Sequence, residues 1–241
     1  MKLTRLFICL LLVCACKKDN IPLQFSEINI LNDTQTIVEI NMPKAQGDSQ
    51  VSKTINATLN SFVCSALHLD TSKEKQETLD SSIEDFNASF LEFNTSISSE
   101  LQGELPIWEA LIEGELVYSN KNIACVAMSS SINTGAANSA MVFQFFNFNT
   151  NTGALFTTEE LVNNIPDFTD LVKKYYDKEI GASFIDAEQL SNNNTFKLPK
   201  TLGFSDEGVI ILYDNFEVGA FEKEIIEFMI PFEVANEYLN I

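Results

Sequence analysis

Between Val51 and Tyr118 the apolar residues change their period, and no other feature limits the fold as much. Val51, Ile55, Leu59, Phe62 and Ala66 recur every three or four residues, and so do Leu79, Ile83, Phe86, Phe90 and Phe93. Each set lines one face of an amphipathic helix. Ser49 is placed to cap the first helix, and the polar stretch 69–78 reads as the loop between them. Glu84, Asp85 and Glu92 lie off the second stripe. From Pro106 onward the period becomes two. Ala110, Ile112, Leu116 and Tyr118 alternate with Glu109, Glu113 and Glu115. That pattern predicts a half-buried antiparallel strand with a wet, acidic face.

The flanking segments extend this plan. Residues 22–43 read as two short strands around an Asn-Asp-Thr turn, 123–131 as a strand after the turn Asn120-Lys121-Asn122, and about 139–148 as the next strand. Gly135, Ala136 and Ala137 make a tight turn between these last two. They do not form a phosphate cradle, because no Gly-Lys pattern is present and a strand follows instead of a helix N-terminus. Phe143, Phe145, Phe146 and Phe148 are packing residues, and Asn149 to Gly153 form a turn. Thr157 and Glu160 fit a capping box for a short helix. Pro166 and Asp167 suit the first turn of a longer helix carrying Phe168, Leu171, Val172, Tyr175, Tyr176 and Ile180. A polar loop at 190–200 leads to strands at 209–213 and 224–230, and Pro231 opens a terminal helix toward Leu239. Strands and helices are segregated along the chain, so the expected class is α+β, with antiparallel sheets and helices packed on one face.

The N-terminus, MKLTRLFICLLLVCACKKDN, addresses the chain to an envelope. Lys2 and Arg5 precede an apolar run, Phe7 to Val13, which falls far short of the ~20 residues a membrane span needs. Val13-Cys14-Ala15-Cys16 resembles a lipobox with a small residue before Cys16. The reading is a signal peptide over 1–15, a lipidated Cys16 on a tether over 16–21, and a domain whose halves are 22–135 and 136–241. Cys14 fits less well, because Val13 would take the small-residue position. Acyl chains on Cys16 would anchor the protein to the outer membrane. Lys17-Lys18-Asp19-Asn20 is compatible with export to the cell surface and with a periplasm-facing tether.

Cleavage leaves 13 basic and 34 acidic residues, a net −21. Such a field repels nucleic acid and favours cationic partners. Cys64 and Cys125 remain as thiols in an oxidising compartment. They could form a disulfide or stay buried separately, and neither has metal-ligand spacing.

No motif of established chemistry is present. The sequence lacks GxSxG, HExxH, GxGxxG and a Walker-type loop. Its single histidine, His68, sits at the end of the first helix and cannot by itself build a zinc site. Ser129 to Ser131 have no accompanying base and read as the wet end of a strand. Acidic residues are plentiful, but none is marked as a catalytic pair. No enzyme activity, cofactor or metal is expected.

Several short motifs occur in a familiar order. They are Thr134-Gly135-Ala136, Asn147-Phe148-Asn149, Thr152-Gly153, Thr158-Glu159-Glu160-Leu161-Val162, Phe204-Ser205-Asp206-Glu207-Gly208, Phe216-Glu217-Val218, and Ile230-Pro231-Phe232 ahead of Tyr238-Leu239. Together they resemble the extracytoplasmic domain shared by the anti-sigma factor RsiV, the peptidoglycan deacetylase PdaC and many bacterial lipoproteins. The chain departs from the family pattern at Ala137, where a histidine is usual, at Phe216, where a tyrosine is usual, and at Glu224, where a glycine is usual. The resemblance therefore implies no catalytic residue. It implies a lipid-anchored envelope binding module whose partner is a cationic protein such as lysozyme, or a cell-wall glycan. Trp108 and Glu217 are candidates for the ligand surface, and Trp108 is otherwise a core plug. A structural or assembly-partner lipoprotein is the alternative, with a carboxylate hydrolase behind it.

Overall fold

The computed structural model describes residues 23–97, 106–135, 139–179, 196–213 and 225–241. Cys16, Ala137, Ile180, Phe216, Glu217 and Glu224 lie outside them.

A five-stranded sheet is the frame. Its strands are β1 (Phe25–Asn32), β2 (Ile37–Ala45), β3 (Glu109–Ser119), β4 (Ile123–Asn133) and β5 (Ala140–Asn149), and they lie side by side in that order. All neighbours are antiparallel except β2 and β3, which run parallel with Ile37 opposite Glu109 and Ile40 opposite Ile112. The chain order accounts for this. Helices α1 (Gln50–Leu67) and α2 (Leu79–Ile97) lie between β2 and β3, and a crossover of that length lets β3 start again at the same end of the sheet as β2. The antiparallel expectation for 109–118 therefore holds on the β4 side only.

The two helices cover one face. Ser49 caps α1, accepting a hydrogen bond at Oγ from the Ser52 amide at 3.1 Å. The buried stripe of α1 is Ile55, Leu59, Val63 and Leu67, so it is rotated relative to the expected one, and Val51, Phe62 and Ala66 lie at its margin. Ile83, Phe86 and Phe90 are the buried face of α2. These side chains pack on Val38, Ile40, Met42, Ala110, Ile112, Val126, Met128, Phe146 and Phe148 of the sheet.

A second, three-stranded antiparallel sheet closes part of the opposite face. It consists of β6 (Leu202–Phe204), β7 (Gly208–Tyr213) and β8 (Ile226–Pro231). The two sheets meet at β5 and β6. Asn147 Nδ2 donates to the Leu202 carbonyl at 2.7 Å, and the Phe145 amide donates to Thr201 Oγ1 at 3.3 Å. A Cβ on Gly203 would lie 2.5 Å from the Phe145 ring, so glycine is what allows this approach. Cys125, Ile123 and Phe145 enter the same core as Leu202, Phe204, Val209 and Ile211. Helix α4 (Ile165–Glu179) adds Phe168, Leu171, Val172 and Tyr176 to it. The short helix α3 (Thr158–Leu161) begins at the expected capping box, with Thr157 N–H donating to Glu160 Oε2 and Glu160 N–H to Thr157 Oγ1.

Three details differ from the sequence pattern. An irregularity between Leu116 and Tyr118 shifts the β3 register, so Tyr118 leaves the helix side and packs its ring near Phe204 and Phe232. Strand β6 carries no alternation legible in three residues. The terminal helix is only one turn, α5 (Phe232–Ala235), followed by a 3₁₀ turn at Asn236–Tyr238.

Candidate binding surface

Strand alternation sends half of each sheet residue set away from the helices. On β2 these are Ile37, Glu39 and Asn41, and on β3 they are Glu109, Leu111, Glu113 and Glu115. Glu27, Asn29 and Leu31 continue the face on β1. The pairing aligns one row across all five strands, Leu31–Glu39–Leu111–Ser131–Met141, and a second row, Asn29–Asn41–Glu113–Ser129–Phe143. The three-stranded sheet reaches the β4–β5 side of this face, while none of the described residues covers the β1–β3 side.

The open part combines two unusual properties. Leu31 is 68% exposed, Leu111 39% and Ile37 38%. Glu27, Glu39, Glu109, Glu113 and Glu115 are exposed among them. Among the described residues the ion pairs join Lys73 to Asp70 and Glu92, Lys173 to Asp177, and Lys178 to Glu179, so none engages these five carboxylates. Glu39 accepts only a hydrogen bond from Asn41 Nδ2 at 3.0 Å. The single basic residue of β1–β5, Lys44, is exposed near the end of β2 opposite Ser26, and among the described residues it forms no ion pair with these carboxylates. Strands lie ~4.8 Å apart, so the uncompensated carboxylates share a compact field.

The candidate residues from the sequence fall elsewhere. Trp108 is buried among the rings of Phe86, Phe90 and Phe93, with centroids 5.4–5.7 Å away. It is a core plug at the start of β3 and not part of a ligand surface. Cys64 and Cys125 are free and buried. No disulfide joins them, because Cys64 is on α1 while Cys125 points through the far face of β4 into the second core. Burial pushes the Cys125 thiol up to about 12. His68 is the C-cap of α1, its Nδ1 buried without a partner. Ser130 is buried toward the helices, and Ser129 and Ser131 are half-buried in the middle of the sheet instead of at a wet end. Asp206 and Glu207 occupy the β6–β7 turn, where Ser205 Oγ accepts from the Glu207 and Gly208 amides. No group of three metal-ligating side chains converges among the described residues, and no described helix is long and apolar enough to cross a membrane.

A shallow groove of about 760 Å³ lies between α1 and β5. Gln50, Thr54, Thr58, Ser61 and Gln144 line it with Lys53 at its side, and Phe62 packs edge-on against Phe146. It brings no two carboxylates across a cleft.

Glu109, Glu113 and Glu115 were legible as a wet strand face. Glu27, Glu39 and the exposed apolar row were not, because only the parallel β2–β3 pairing sets them beside those glutamates.

Residues 154–233 match the family model DUF3298, described as a protein of unknown function. The whole fold is similar to the crystal structure of a DUF3298 family member from Bacteroides fragilis. The TM-score is 0.66 at 13% identity, over 91% of this chain and 94% of that one. It is also similar to a DUF3298 family protein from Pseudomonas aeruginosa, with a TM-score of 0.65 at 11% identity, over 92% and 96% of the two chains. No curated protein matches the sequence.

Proposed function

We propose, from the premise that this chain carries a DUF3298 domain, in agreement with its RsiV/PdaC-like motifs, that it is a lipid-anchored envelope module that binds a cationic protein. The observation that supports this reading is the open face of β1–β3. Its five unpaired glutamates supply long-range attraction, and its exposed Leu31, Ile37 and Leu111 supply apolar area for contact. A lysozyme is the partner class that the resemblance suggests. A wall glycan is favoured less, because Trp108, the one tryptophan, is inside the core and offers no sugar-stacking platform. The anchor rests on the lipobox ending at Cys16.

The test is binding of lysozyme and other basic proteins to the tagged chain as salt is raised. Binding should be measurable at low ionic strength and weaken steeply toward physiological salt. The double change Glu39→Lys with Glu113→Lys should weaken it ~10-fold or more through the association rate. Glu84→Lys, on α2 across the sheet from the face, should change it much less. Absence of any basic-protein binding at low salt would overturn the reading. Tight binding indifferent to salt and to the lysine changes would instead favour an assembly partner that docks on the apolar row.

A further inference from the structure

Among the described residues, the second edge of the five-stranded sheet has no cover along part of its length. In β5 the odd-numbered residues direct their amide and carbonyl groups away from β4. This follows from Phe145 N–H donating to Thr201 Oγ1, Asn147 C=O accepting from Phe156, and Asn149 N–H donating to Ala154. Those contacts cover the edge from Phe145 onward. Met141 and Phe143 have the same parity, and no described residue meets their outward backbone groups. Met141 and Val142 are 49% and 40% exposed.

Natural sheet edges are blunted by charge, proline or a covering element. Between Ala140 and Gln144 this one has no charge and no proline, and none of the described residues covers it. No Asp, Glu, Lys, Arg or His occurs from Asn122 to Thr158, although the chain as a whole has a net charge of −19. The opposite edge, β1, carries Glu27, and β8 of the second sheet carries Glu227. The β5 edge is therefore where two copies of this anionic chain can meet without apposing carboxylates.

We infer that β5 pairs with β5 of a second copy, antiparallel about a two-fold axis at Val142. In this register Met141 lies opposite Phe143 of the other copy and Phe143 opposite its Met141, so every uncovered outward group finds a partner. Val142 faces its own equivalent at a non-hydrogen-bonded position. The axis is perpendicular to the sheet, so both acidic faces end on the same side of a continuous ten-stranded sheet. The nearest glutamates of the face lie on β3, about five strand spacings or ~24 Å from their equivalents, well beyond the ~8 Å screening length at physiological salt.

The test uses the full chain in detergent. Sedimentation should report a dimer. Val142→Lys and Val142→Glu each place like charges directly opposite across the axis, and each should weaken dimerisation at least ~10-fold. An equimolar mixture of the two should restore a dimer that contains one of each. Val142→Cys should cross-link on mild oxidation, whereas Thr150→Cys, at the turn, should not. A wild-type chain that stays monomeric at about 100 µM, a Kd range of little consequence in solution, overturns the inference. So does a dimer that both charge variants leave intact.

Discussion

The two sides of the five-stranded sheet have the same alternation and opposite fates. On β3, Glu109, Leu111, Glu113 and Glu115 point away from the helices into solvent. On β4 and β5, Ile123, Cys125, Phe145 and Asn147 point the same way and are sealed beneath β6. The difference teaches that periodicity identifies two faces of a strand, while the element laid over a face decides whether it becomes core or surface.

The sharpest way to break this contrast is at the sealed side. Phe145→Ala should cost about 3–5 kcal/mol, because it empties the joint between the sheets against Gly203. Chemical denaturation would measure it. Neighbours on one strand sharpen the contrast next. Ile112 is fully buried toward the helices and Leu111 is exposed. Ile112→Ala should cost about 2–5 kcal/mol, whereas Leu111→Ala should stay within ~0.5 kcal/mol.

The Cys125 thiol gives a smaller, pH-dependent effect. Burial raises its folded-state pKa from 9.0 to about 12. The unfolded chain therefore loses this proton first, and the stabilising contribution is complete below about pH 9 and declines as pH rises toward 12. The slope should approach ~1.4 kcal/mol per pH unit for one proton. Cys125→Ala should remove that slope, and native Cys125 should resist alkylation until the chain is unfolded. Smallest of all, Glu39→Gln on the open face should leave the melting temperature within ~2 °C, and any shift should be upward, since one of five neighbouring like charges is removed.

Much of this fold was legible in the sequence because local physics specifies it. Ser49 and the Thr157–Glu160 box mark helix starts, since each supplies the acceptor that an unpaired amide needs. The alternation of 109–116 separates Ala110, Ile112 and Leu116 from the glutamates. Tyr118 was misplaced because one irregular residue pair reverses every later position on a strand. The α1 stripe was rotated because Val63 and Leu67 outcompete Phe62 and Ala66 for the sheet, a choice made by packing and not by period. Trp108 could be read as surface or core from its sequence neighbours, and the rings of Phe86, Phe90 and Phe93, distant along the chain, decide for core.

By itself the sequence determined the elements, their order, the sign of the charge and the two faces of each strand, because those depend on neighbours within a few residues. Tertiary structure alone decided that β3 lies parallel to β2, that five glutamates from three strands share one uncovered face, and that the uncharged edge of β5 is open. Those features depend on pairings between segments dozens of residues apart, whose registers are selected by burial of the whole core.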